Sequence, residues 1–369
     1  MKNNRWLLIV FIVCSAIRIC AQTQDVTVLE YCPAPGQFVN IMPETMSGMT
    51  QQEVNDKCTE AMREGIPVHL GTYGGYMTVG FDHPIQNLRG SDIRIKGNAF
   101  YDSSVSESET DRLGGSIEPG IVYVGVGDDV ETAQWYELAG SEYYTSEIHD
   151  FAITYYKPTA ETGTHALPFS IYDDYIRWEA TWTEDGKIRD STGCHMKNVY
   201  HRQSYWPSWI EDETLTYKGG KLPNNAIDKS GKGSYWVLYR YSKDSYGYVD
   251  ASLNTEDAST FDIDLAVDEH GNHVELKEIN FIKVVCGVFQ HCGWLGETST
   301  EVSGFEDLHL LEGYDDNPIV ITPRIPDGIV AAKTGHESND SYYYDLSGRR
   351  ILFPSKGIYI RNGLKVVVR

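Results

Sequence analysis

From Pro67 to His309 the chain is a succession of short runs in which apolar and polar residues alternate or β-branched and aromatic residues cluster. Examples are "YMTVGF", "DIRIKGNAF", "GIVYVGV", "FAITYY", "IRWEATW", "YWVLYRY", "FDIDLAV" and "VELKEINFIKVVCGVF". A period of two puts successive side chains on opposite faces of a strand, and the Gly, Asn and Asp between the runs supply turns. Strands at short, irregular intervals bury their apolar faces against one another, which points to a sandwich or jelly roll. One helix precedes them. Thr50-Gln51-Gln52-Glu53 is a capping-box pattern, Val54, Cys58 and Ala61 share a face at helical spacing, and Gly65 ends the run.

The stretch His69 to Pro84, "HLGTYGGYMTVGFDHP", sharpens the β reading. Tyr76, Thr78 and Gly80 fall on one strand face and Met77, Val79 and Phe81 on the other, with Gly74-Gly75 as the preceding turn. Gly71 and Gly80 mark places where a bulge or a neighbouring backbone needs the missing side chain. Phe81-Asp82-His83-Pro84 reads as a corner that ends pairing, because Pro84 has no N–H to give. As adjacent strand residues, Asp82 and His83 are expected to face opposite sides and form no direct dyad.

At the N-terminus, Lys2 and Arg5 precede the apolar run Trp6 to Ser15, and Ile19-Cys20-Ala21 then Gln22 offers a cleavage point. Residues 1–21 read as a secretory signal peptide, too short to be a transmembrane segment. Its removal leaves Cys32, Cys58, Cys194, Cys286 and Cys292, an odd set. Cys286 with Cys292, and Cys32 with Cys58, are the disulfide options; burial as thiols, or zinc on Cys286, His291 and Cys292, are the alternatives, zinc the weakest. The formal net charge of −22 argues against a nucleic-acid partner, whose phosphates need a basic surface. It is compatible with calcium, with cationic or neutral ligands, or with solubility alone. Residues 313–340 turn to Pro, Asp, Gly and Ser and read as a linker, and residues 341–369 as a β tail of three small strands separated by Ser347-Gly348 and Asn362-Gly363.

Two parts of the chain resemble known families. The tail carries Tyr344-Asp345-Leu346-Ser347-Gly348-Arg349-Arg350, then Lys356-Gly357-Ile358-Tyr359-Ile360 and Lys365-Val366-Val367-Val368-Arg369. In this order it is similar to the C-terminal sorting domains of Bacteroidota type IX secretion cargo. That implies export through the outer membrane to the cell surface or beyond, with the export machinery as partner. The body, through "LEYCPAPGQFVN", "GGYMTVGFDHPIQN", "WYELAGSEYY", "YWPSWI", "GYVDA" and "GWLGETSTEVSGFEDLHL", resembles a family of Bacteroidota cell-surface proteins and, more distantly, a galactose-binding-like β-sandwich. The resemblance implies one domain over residues 22–312. Some relatives are encoded beside outer-membrane uptake machinery, including that for corrinoids, which implies ligand capture. Many relatives carry a calcium-loop-like insertion where this chain has only Gly125 to Asp129, and the alternating oxygen ligands are missing there. In calcium-stabilised sandwiches, corners such as Phe81–Pro84 donate carboxylate and carbonyl oxygens, so Asp82, Asn98 and Glu118 are the expected ion ligands.

An enzyme needs a nucleophile or a placed acid/base pair. The chain has no Gly-x-Ser-x-Gly elbow, no His-Glu-x-x-His and no phosphate loop. Asp82 with His83, and Glu118 before Pro119, are the acid/base candidates, and two carboxylates at the right separation would serve glycoside hydrolysis. Asp268 to His273 reads as a hairpin turn on Gly271-Asn272 in preference to a metal pair of His270 and His273. The segment "YHRQSYWPSWI" gathers Tyr205, Trp206 and Trp209 with His201 and Arg202 around Pro207. Such aromatic faces bind sugar rings and other flat ligands; anchoring in the core is the competing role.

The reading is therefore an all-β chain, a jelly-roll or galactose-binding-like β-sandwich with one short N-terminal helix and a small C-terminal β tail. It acts as an exported cell-surface, non-catalytic protein that binds a glycan or a small nutrient such as a corrinoid. A secreted glycan-active hydrolase and a structural surface protein are the alternatives.

Overall fold

The computed structural model describes residues 25–106, 112–159, 172–197 and 200–311, together with the tail strands Tyr343–Tyr344, Arg350–Ile351, Gly357–Arg361 and Leu364–Val368. The expected signal peptide and linker lie outside the described residues. Among the described residues the chain is all-β apart from one α-helix and four short 3-10 turns, and the strands pair antiparallel. No helix among the described residues is long and apolar enough to cross a membrane.

The main sheet runs, in spatial order, Val26–Cys32, Tyr76–Gln86, Glu278–Cys286, Gly120–Val126, Gln134–Leu138 and Ala266–Val267, and Tyr248–Val249 also pairs with the start of Gly120–Val126. Tyr76–Gln86 sits inside the sheet, and its alternation is used on both sides. Met77 and Val79 enter the main core with Val28, Val122, Val124, Ile282 and Val284, whereas Tyr76 packs against a second, aromatic core of Tyr73, Phe151, Tyr155, Tyr205, Trp206 and Tyr217. That second core is faced by the sheet Lys187–Lys197, Tyr172–Glu184, Ile148–Tyr156 and Thr214–Lys221. Burial between sheets in this manner is the packing of a β-sandwich.

The helix Gln51–Arg63 forms as its sequence requires. Thr50 and Glu53 make the reciprocal capping box, and Val54, Cys58 and Ala61 are buried on one face. Gly65 follows in the left-handed region at φ +70. The helix also covers the edge strand Val26–Cys32. At the bulge in that strand, Thr59 Oγ1 accepts from Val28 N–H (2.9 Å), Asn55 Oδ1 accepts from Tyr31 N–H (3.1 Å) and Asn55 Nδ2 donates to the Leu29 carbonyl (2.7 Å). Polar helix residues thus satisfy backbone groups that a bare edge would leave open.

Four expectations need correction. Pro84 does not end the strand: Ile85 and Gln86 pair with Ile279 and Glu278, and Phe81 to Pro84 stand opposite Asn280 alone as a wide register shift. Because this shift breaks the alternation, Asp82 and His83 do meet, with His83 Nδ1 2.6 Å from Asp82 Oδ1. The described cysteines form no disulfide: Cys286 and Cys292 are buried against Thr298 and Cys58 lies in the helix face, so the disulfide options are not taken up. The described part of the tail has four strands where three were expected. Gly71 meets its expectation, since at φ +77 an added Cβ would strike the Ala34 carbonyl. Asp268 to His273 is the expected turn, with Gly271 at φ +75 and Asp268 N–H donating to the Asn272 carbonyl at 2.9 Å.

Candidate functional site

Three carboxylates from distant parts of the chain converge. Oxygens of Glu118, Asp250 and Glu301 lie within 4.8 Å of one another. The β ladders put them there. Tyr248–Val249 pairs with Ile121 and Gly120, and the Glu118 N–H donates to the Asp250 carbonyl at 2.9 Å, extending that pairing. Glu301 opens the strand that pairs with Val68–His69, and Thr300 Oγ1 donates to the Glu118 carbonyl at 2.8 Å. Asp250 and Glu301 are 2% and 6% exposed, and Glu118 is half-buried.

Asp250 is the hub. It holds a left-handed backbone, φ +57, which aspartate tolerates better than most residues. Its Oδ1 accepts from Asn98 N–H (2.8 Å) and Ala99 N–H (2.7 Å), and its Oδ2 from Glu301 N–H (3.0 Å). Gly97 has no side chain because a Cβ would run into Asp250. The outer end of the Asn98 amide lies 3.3 Å from Glu301 Oε2 and 3.2 Å from Asp250 Oδ1. With its nitrogen on that side the amide donates to both carboxylates, and with its oxygen there it adds a fourth oxygen to the cluster.

His69 closes the group from the other side. Its Nδ1 accepts from Gly71 N–H (3.2 Å), so the ring proton is on Nε2, which points at Glu301 Oε1 3.3 Å away. Burial pulls the His69 pKa down to about 3, so the ring is neutral and adds a hydrogen bond without a counter-charge. Burial pushes the carboxyls of Glu118, Asp250 and Glu301 upward. The negative charge of Asp250 adds to the rise at Glu118, those of Glu118 and Asp250 add at Glu301, and the backbone N–H groups offset part of it at Asp250. Among the described residues no Lys or Arg forms an ion pair with any of the three. Such a cluster needs protons or a cation to be stable.

Of the residues expected to bind an ion, Asn98 and Glu118 come together here. Asp82 does not join them, because its carboxylate is turned to His83, whose Nε2 contacts Asp307 Oδ2 at 3.1 Å. Burial lowers the His83 pKa, but the bonds to Asp82 and Asp307 outweigh it and leave the pKa above the ordinary value. Sequence reasoning missed Asp250, Glu301 and His69. The signals present were the carboxylate just after the short run ending at Val249 and the histidine two residues before the strained Gly71.

The expected aromatic platform is a correction. Tyr205, Trp206 and Trp209 are buried: Tyr205 and Trp206 sit in the aromatic core, and Trp209 stacks on Tyr31 with ring centroids 5.7 Å apart. His201 is half-buried, edge-on to Phe38 at 4.8 Å, and only Arg202 of the five is exposed. Large rings beside Pro207 find more apolar surface to cover than water allows them to leave. The segment acts as a buttress. The Tyr205 carbonyl accepts from Gly36 N–H (2.9 Å), Asn40 Nδ2 donates to the Ser204 and Trp206 carbonyls (2.8 and 2.9 Å), and Phe38 in turn lies edge-on to His69. Compared with protein-family models and with curated proteins, the chain matches none.

Proposed function

We propose that the protein is an exported cell-surface β-sandwich that captures a glycan or a small nutrient such as a corrinoid without converting it, and that calcium held by Glu118, Asp250, Glu301 and Asn98 ties its strands together. The observation that carries the ion is the convergence of carboxylate oxygens from three distant stretches of chain, Glu118, Asp250 and Glu301. An oxygen-only donor set with three carboxylates suits a hard cation such as calcium better than a transition metal. The neighbouring imidazole nitrogens are not free for a metal, since His69 Nδ1 accepts from Gly71 and Nε2 carries a proton toward Glu301. Surface placement rests on the sorting-like tail, and the galactose-binding-like reading on the words of the body.

The non-catalytic reading rests on the sequence, which carries no nucleophile motif; Asp82 and His83 form one pair and Glu118 belongs to the carboxylate cluster, so the hydrolase stays the alternative to be tested. A panel of polysaccharides and corrinoids, tested for binding to the full chain with calcium and then with chelator, examines the proposal. Saturable binding that weakens in chelator supports it. Turnover of a polysaccharide that Glu118→Gln abolishes would replace it with the hydrolase, and absence of any binding across the panel would defeat it.

A further inference from the structure

A second group of ligand-type side chains lies elsewhere in the fold. Glu137, in the strand Gln134–Leu138, faces Glu147 and His149 at the start of the strand Ile148–Tyr156, and one ligand atom of each lies within 4.8 Å of the others. Glu147 and His149 are two residues apart on an extended chain, so they share a face.

Glu147 is the unusual member. Its side chain has no exposure to solvent, yet among the described residues no N–H or hydroxyl group donates to either carboxylate oxygen, and its polar neighbours are the carboxyl of Glu137 and the ring of His149. Its Oε1 lies 3.5 Å from His149 Nδ1, and Gly220 lies beside it, where an added Cβ would meet that oxygen and the glutamate would have to shift. A buried carboxylate without such donors is rare in native proteins and calls for an explanation. Burial raises the carboxyl of Glu147 to about 8, and burial, with the charge of Glu147 adding, raises that of Glu137 well above its ordinary value. The site also has an opening. The His149 side chain is 49% exposed, and with Glu147 it lines a cavity of about 370 Å³ whose other walls include Tyr143, Tyr144, Glu269 and His270. Tyr144 fixes the far wall by donating to the Gly271 carbonyl at 3.1 Å.

We infer that Glu137, Glu147 and His149 form a binding site for a divalent transition-metal ion of the zinc type, with its remaining coordination positions open to the cavity. Two carboxylates with one imidazole favour a borderline ion over calcium, which takes oxygen ligands throughout. Three protein ligands with a free position toward a cavity is the pattern of a zinc site that also takes water or a ligand. The ion would bridge Glu137, Glu147 and His149 and neutralise the buried carboxylate pair. This inference is independent of the calcium proposal, since no residue is shared.

The test is calorimetric titration of the full chain with zinc chloride in saturating calcium, with manganese chloride as a second probe. We expect one zinc per chain, with affinity reduced at least about tenfold by Glu147→Gln and by His149→Ala, while the calcium response stays as in the wild type. His149 is half-exposed, so its variant remains informative if Glu147→Gln fails to fold. Zinc uptake unchanged in His149→Ala would mean adventitious binding at surface histidines and overturn the inference. A Glu147→Gln protein with a raised Tm, alongside a wild type that takes up no zinc, would also overturn it by showing a shared-proton carboxyl pair.

Discussion

In the presence of chelator, the Glu118, Asp250 and Glu301 cluster should make the protein less stable as pH rises. In the folded chain Glu118 is pushed up to about 8 and Asp250 to about 6, while their ordinary values are 4.5 and 3.8. The folded state therefore holds more protons than the unfolded state across that interval. The stability this contributes is fully present below the ordinary values and is lost as pH rises through the folded ones. For Glu118 the interval from 4.5 to about 8 corresponds to roughly 5 kcal/mol at about 1.4 kcal/mol per unit. The three carboxyls sit within reach of one another, so this figure belongs to the cluster and not to one residue. At about 2–4 °C per kcal/mol, the melting temperature in chelator should fall by on the order of 10 °C between about pH 5 and about pH 9. Glu147 contributes in the same direction, so the comparison that isolates the cluster is Glu301→Gln, which removes one of its charges. Thermal melts of both proteins across that range, with chelator and with calcium, provide the assay. We expect a steep fall for the wild type in chelator, most of it abolished by calcium, and a shallower, calcium-insensitive profile for Glu301→Gln. Wild-type and variant profiles that superimpose, with no effect of calcium on either, would refute the reasoning.

Trp209→Ala should cost about 3–5 kcal/mol in urea denaturation, because the ring is 8% exposed and stacked on Tyr31; a loss below about 1 kcal/mol would restore the platform reading. Gly71→Ala should cost roughly 2–5 kcal/mol, combining a left-handed backbone with a clash against the Ala34 carbonyl. Because Gly71 N–H also holds His69, the same variant should weaken calcium binding, and an unchanged calcium titration would separate His69 from the site.

The helix was legible because its signals are local: the capping box, the shared face and Gly65 all lie within one short stretch, and each is used as read. The strand around Met77 and Val79 was legible for the same reason, as a period of two needs only a few residues. The corner at Phe81 to Pro84 was misread because proline ends pairing only if the partner strand keeps its register, and here the Glu278–Cys286 strand skips past it. The site was half legible. Asn98 and Glu118 end neighbouring β runs and could be named, but Asp250 and Glu301 reach them only through pairings across most of the chain. The aromatic segment was ambiguous by nature, since the same rings that stack on a ligand also fill a core, and burial alone separates the two roles.

The proposal that a hard divalent cation binds here rests on the convergence of Glu118, Asp250 and Glu301. Calorimetric titration of the chelator-treated protein with calcium, beside Asp250→Asn, tests it most directly. Asp250→Asn keeps the shape of the hub and removes its charge, so the account predicts one saturable calcium per wild-type chain and at least about a tenfold weaker site in the variant. No heat of binding in the wild type, or equal binding by a folded Asp250→Asn protein, would contradict it.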